Sequence, residues 1–339
     1  MMEGRIAERF VRGPEPPTSM TAIATILVPF FSLILLGYGA GRLKLVPAAA
    51  LAGLDFFVLY LAMPALFFQL IATTPVASLA GWSYVVATTF ATYCAFAVAF
   101  SFAALLNGGR VPEATIEGLI GSYGNVGILG PALAVSAFGA AAAAPTALIF
   151  SFDTIVLLIV TPLMMALGGT ARTNARLLAA DIGWRMFLHP FIIAAALGFL
   201  AAAIGFQAPA GIDTLLTMLR QAAVPTALFA FGVAQSLRAF GRTTVELPIL
   251  VAVKLIVHPT IVYLLLSWVG GYDGIWVKVA VLLAALPPAA EILTLARHYG
   301  VAVERVSTAI LIGAALSIAT VTITLILLVS GTLSLDPFH

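Results

Sequence analysis

Apolar residues run through this chain in long blocks, not in the one-sided stripe of a helix that keeps a wet face. Blocks near the roughly 20 residues that cross a bilayer fall at 22–41, 51–71, 83–106, 115–138 and 144–167. Further blocks follow at 185–204, 212–234, 245–269, 274–296 and 304–330. The polar stretches between them are short. The longest internal one, 168–184, runs from Gly168 to Trp184 and cannot hold a separate soluble domain. The pattern predicts an all-α, multi-pass membrane protein with ten spans.

Two of the ten blocks carry a break. Gly124-Asn125-Val126-Gly127-Ile128-Leu129-Gly130-Pro131 interrupts the fourth, and Leu286-Pro287-Pro288-Ala289-Ala290-Glu291 interrupts the ninth. In lipid an unpaired backbone group costs several kcal/mol, so unwound chain survives at membrane depth only under protein or beside a water-filled cavity. Paired interruptions at matching places of two halves point to the substrate site of an inverted-repeat carrier.

The basic residues sort the connectors. Odd-numbered ones hold Arg42 and Lys44, Arg110, Arg172 with Arg176 and Arg185, Arg238 with Arg242, and Arg297 with Arg305; even-numbered ones hold none. Excess Lys and Arg marks the cytoplasmic side. Both termini are therefore expected on the non-cytoplasmic side of a cell (plasma or inner) membrane. Five spans per half would insert the second half upside down. Met63-Pro64-Ala65-Leu66-Phe67 echoes Val224-Pro225-Thr226-Ala227-Leu228-Phe229, with 161 residues between the two prolines, and the same offset carries the first break onto the second. The expected organisation is a disordered tail over 1–19, a first five-helix repeat over 20–170, and a cytoplasmic connector over 171–184. A second five-helix repeat over 185–331 and a short tail over 332–339 complete it. Met20 is an alternative start.

Composition agrees. Of 339 residues, 62% are hydrophobic and 9% charged, against roughly a quarter charged in soluble domains. A net charge of +2 gives no reason to expect a nucleic-acid partner. The single cysteine, Cys94, rules out an intrachain disulfide and reads as a small packed hydrophobe. No His-Glu-x-x-His zinc motif and no Gly-x-Ser-x-Gly elbow occurs, so enzyme chemistry finds no support, nor does a cofactor.

At these residues the chain resembles the auxin efflux carrier family, which includes plant PIN-type carriers and bacterial organic-acid permeases. The resemblance rests on Gly124-Asn125-Val126-Gly127 with Gly130-Pro131, and on Phe152-Asp153 followed by Thr161-Pro162-Leu163. It rests also on Pro225 with Ala227, Leu228 and Gly232, and on Leu286-Pro287 through Ala296 with Tyr299-Gly300. It implies two inverted five-helix repeats, with broken helices four and nine crossing at the midplane at a proline. It implies secondary transport of small organic anions there, by alternating access in an elevator-like manner. The bacterial branch is the nearer one, since the long hydrophilic loop of plant carriers is missing. Glu291 departs from the pattern, as family members often carry an amide there.

Read residue by residue, the breaks offer partial charges of both signs at helix ends. Gly127 and Gly130 permit unusual backbone and close approach, while Pro131, Pro287 and Pro288 remove donors and stop a helix. Asn125 either satisfies freed backbone or contacts substrate. Glu291 either favours a helix start or binds a coupling proton or Na+ at membrane depth. Asp153, Lys254 and His258 form a supporting network, the last two sharing a helical face. Candidate partners are thus a small mono- or dicarboxylate, H+ or Na+, membrane lipids, and a second copy in a homodimer. The rival readings are a sodium- or proton-coupled antiporter or bile-acid-type symporter of the same crossover fold, and a channel, which would pass flux without exchange.

Overall fold

The computed structural model describes residues 20–73, 81–169, 188–238, 241, 245–330 and 332–333. The expected tail over 1–19, the connector over 171–184 and most of 332–339 lie outside the described residues, as do Arg172, Arg176, Arg185 and Arg242.

The described residues are helical, with no strand among them. Seven helices are long and apolar enough to cross a membrane. They include α1 (Met20–Arg42), α2 (Ala48–Ala72), α3 (Trp82–Leu106) and α6 (Ala143–Leu167). The others are α8 (Ala210–Ser236), α9 (Glu246–Val269) and α12 (Val303–Val329). The three remaining apolar blocks hold shorter helices. The fourth holds α4 (Val111–Ser122) and α5 (Leu129–Phe138). The sixth holds α7 (Pro190–Ile204), and the ninth holds α10 (Gly274–Ala284) and α11 (Glu291–Tyr299). Large apolar side chains such as Val86, Phe90, Leu105 and Trp268 point outward, the arrangement that suits a hydrocarbon surround.

Proline shapes two of the long helices. A π turn over Val58–Ala62 leads into Met63-Pro64 in α2, and another over Val253–Val257 leads into His258-Pro259 in α9. Proline donates no N–H and crowds the carbonyl four residues back, so the ladder widens ahead of it. Pro225, by contrast, sits inside a continuous α8.

The helices pack in two groups. One is α1, α2, α7 and α8; the other is α3, α4, α6 and α9 to α12, with α5 touching both. In the first group α1 and α8 meet backbone to backbone. A Cβ added at Gly37 would stand 2.1 Å from the Phe229 carbonyl oxygen, and one at Gly232 would stand 2.0 Å from that of Ile34. Small residues are what let membrane helices approach this closely. Gln69 ties α2 to α8: its Nε2 donates to Asp213 Oδ1 (3.0 Å) and Thr217 Oγ1 (3.1 Å). Tyr60 and Gln221 point outward, and the Ser122 hydroxyl donates to Gly118 O within α4.

Candidate functional site

Between Ser122 and Leu129, and again between Ala284 and Glu291, the chain leaves the helix. The two segments meet at an antiparallel bridge between Gly124 and Pro288. Asn125 N–H donates to Pro287 O (2.9 Å), and Ala289 N–H donates to Tyr123 O (3.1 Å). Each segment thereby satisfies backbone groups that the other has freed. The Asn125 carbonyl then accepts from Leu129 N–H (3.2 Å) and Gly130 N–H (3.3 Å), which starts α5.

The sequence placed Gly130 and Pro131 within the unwound stretch. The structure puts both in the first turn of α5, where proline is tolerated because no intrahelical partner is needed there. Neither Gly127 nor Gly130 has a left-handed backbone. What they supply is space: a Cβ at Gly127 would stand 2.7 Å from Phe150 Cε2, and one at Gly130 would stand 2.9 Å from Leu283 Cδ2. Pro287 and Pro288 are buried at the bridge. Glu291 is the first residue of α11, with its Oε2 buried and unpartnered.

Asn125 is 1% exposed, and neither polar atom of its amide has a hydrogen-bond partner. Backbone satisfaction by this side chain is therefore not what the geometry shows. A buried amide normally finds partners, which makes this orphan an exception at the crossing.

Lys254 reaches the crossing from α9. It is 0% exposed, donates to the carbonyl of Ala284 at the C-terminal end of α10, and lies 3.0 Å from where a Gly124 Cβ would be. Its Nζ is 3.0 Å from His258 Nδ1. With the ammonium donating, Nδ1 accepts and Nε2–H points toward Thr92 Oγ1 (3.4 Å), which in turn donates to Asp153 Oδ1 (3.1 Å). The three residues singled out from sequence thus form one buried chain with Thr92. Its lysine end lies against the break at a helix C-terminus, the end that favours positive charge.

A second buried network was missed in the sequence. Glu117 in α4 is 0% exposed; its Oε1 pairs with Arg305 and its Oε2 accepts from Asn107 Nδ2 (2.6 Å). Arg305 also donates to Asn107 Oδ1 (2.9 Å) and pairs with Glu246 (3.3 Å). The connection joins α3, α4, α9 and α12. Arg305 was counted among loop cations, and nothing local signals that its partner lies 188 positions away.

Two cavities flank the crossing along the seam between the helix groups. The first, about 750 Å³, is lined by Phe30, Ile34, Tyr38, Leu129, Leu286 and Pro287, and by Gln235, Arg42 and Arg238. The second, about 1030 Å³, is lined by Asp55, Ile128, Arg238, Glu291, Arg297 and Glu304, among others. Asn125 lines neither, but Ile128 faces one and Leu129 the other. Arg238, just past the end of α8, lines both. Its Nε and Nη1 are shut off from solvent and have no partner. Burial holds its guanidinium below the usual arginine range; Arg297 pushes the same way and Glu291 opposes. The sequence reading had it as a loop cation only. No cluster of three or more His, Cys, Asp or Glu that could hold a metal occurs among the described residues.

Comparison with known proteins agrees on the class. Residues 22–325 match the model of a family described as "Membrane transport protein" (Mem_trans). A protein of Rhizobium meliloti (strain 1021), named "Putative malonate transporter", is 43% identical over 319 residues, covering 94% of this chain and 100% of the relative.

Proposed function

Since the chain belongs to the membrane transport protein family, the auxin efflux carrier family its motifs resemble, and is an integral membrane transporter, not an enzyme, we propose that it is a secondary carrier of small organic anions. Dicarboxylates of malonate size are the first substrates to test, a choice supported by the relative's name. In this reading α4 with α5, and α10 with α11, are the halves of two broken spans. The chain is then ten spans in two inverted repeats with both termini non-cytoplasmic.

The observation that carries the reading is the crossing itself. Unwound segments from two halves pair with one another and hold an orphan amide, Asn125, near the buried amine of Lys254. Donors and positive charge at the crossing favour a small carboxylate in the space beside it. The seam between the two helix groups suits alternating access, with α1, α2, α7 and α8 as scaffold and the other group as the moving body. Glu291 is the proposed coupling site for H+ or Na+.

Purified carrier in liposomes, loaded with one carboxylate and challenged with a labelled second, tests this. Saturable uptake with counterflow is expected, selective among mono- and dicarboxylates. Flux that neither saturates nor exchanges would make the protein a channel. Sodium and pH gradients imposed in turn identify the coupling ion.

A further inference from the structure

The two cavities differ in charge. The larger is lined by the acids Asp55, Glu291 and Glu304 beside Arg238 and Arg297. The smaller has Arg42 and Arg238 and no acid in its lining. It also has Leu129, the first residue of α5, whose N-terminal end carries positive partial charge. Gln235 lines the smaller cavity three residues before Arg238; it is 5% exposed, and neither its Nε2 nor its Oε1 has a partner.

An arginine at a span end ordinarily extends its head to the interface, where water satisfies it. Arg238 does the reverse: two of its nitrogens are buried and unpaired. Leaving charged donors without an acceptor is costly, and a guanidinium stays protonated. Arg238 and Gln235 thus both line the acid-free cavity and both carry donors that no protein group satisfies, although Arg238 also feels Glu291 across the larger cavity; the lining suits an anion.

We propose that the smaller cavity is the carboxylate-binding site of the state seen here, with Arg238 and Gln235 as the specificity-determining residues that take one carboxylate of a dicarboxylate. Arg238 presents the planar fork that matches a carboxylate in two hydrogen bonds. Gln235 adds an amide donor. Phe30, Phe31 and Ile34 give the cavity apolar walls, and Arg42 adds a second cation to its lining. The larger cavity is left to the coupling ion at Glu291. This assignment rests on the anion-carrier reading above.

The test uses full-length protein in malonate-loaded liposomes, with malonate and its half-amide, malonamate, as competing external ligands. The half-amide removes one negative charge at nearly constant shape. Wild type should prefer malonate by about tenfold or more, the range of a lost charged hydrogen bond. In R238Q that preference should collapse, with malonate's half-saturating concentration rising by a similar factor while malonamate's changes little. R238K, which keeps the charge but loses the fork, should fall between and serves if R238Q does not fold. Malonate exchange in wild type with unchanged preference in R238Q, or in R238K where only that variant folds, overturns the assignment alone. Saturable exchange of other carboxylates without malonate, or no preference in wild type, removes the dicarboxylate substrate and this site with it. No exchange of any carboxylate defeats the carrier reading itself.

Discussion

At the residue scale, the crossing is built from groups whose partners differ from those their sequence neighbours suggest. Lys254 is the clearest case. Spacing joined it to His258, but its bond to the Ala284 carbonyl depends on how α9 lies across α10, which no local pattern encodes. Lys254→Met leaves that carbonyl and the His258 chain without a donor. Leaving a buried acceptor unpaired costs about 1–3 kcal/mol. The variant should show a clearly lowered melting temperature in detergent, and an unchanged one would reduce the contact to an incidental one. Glu291 was legible because a lone acid after two prolines stands out, while its two readings were not separable from sequence. Glu291→Gln mimics the protonated acid. It should keep malonate exchange but lose the acceleration of uptake by an inward proton gradient. Gradient-driven uptake at the wild-type rate would make Glu291 a helix-start residue.

At the element scale, the apolar blocks placed the seven long helices closely, because lipid imposes length and polarity on each independently of its neighbours. The edges of the breaks were read less well. Gly130 and Pro131 look like breakers in sequence yet lie in a helical first turn, since the first turn needs no N–H. Glycines were equally ambiguous: whether one serves turn geometry or close packing is decided by what lies opposite. Gly232 lies against the Ile34 carbonyl, whereas Gly39, on the same helix as Gly37, has open space around it. Gly232→Ala should therefore push α8 off α1 and reduce monodisperse protein in size-exclusion chromatography, while Gly39→Ala should leave the profile unchanged. Equal behaviour of the two would mean that the α1–α8 contact contributes little to the fold.

At the scale of the whole molecule, the charge of connectors gave an orientation, but not the role of the charges within the seam. Arg238, Arg297 and Arg305 were equivalent as loop cations, and only packing separates an orphan guanidinium, a cavity wall and a buried network. If the seam is where one body moves past the other, fixing it must stop transport. Cysteines at Ile34 in α1 and Ala314 in α12, which line the smaller cavity from the two helix groups, can be joined by a bifunctional reagent in a Cys94→Ser background. Cross-linked carrier should lose counterflow and regain it when the linker is cleaved. Full counterflow in protein verified as cross-linked would place the motion elsewhere.

The paired bonds between Tyr123–Asn125 and Pro287–Ala289 also bear on biogenesis. Each unwound segment finds its acceptors and donors in the other, yet 161 residues of synthesis separate Asn125 from Leu286. During translation the first half must enter the bilayer with polar backbone still waiting for a partner, a state that lipid disfavours and quality-control proteases recognise. The half-protein ending before the connector at 171–184 should be degraded when expressed alone. Co-expression with the complementary half should rescue it as a copurifying, transport-competent pair. Stable accumulation of the first half by itself would show that water or a folding factor can stand in for the missing segment.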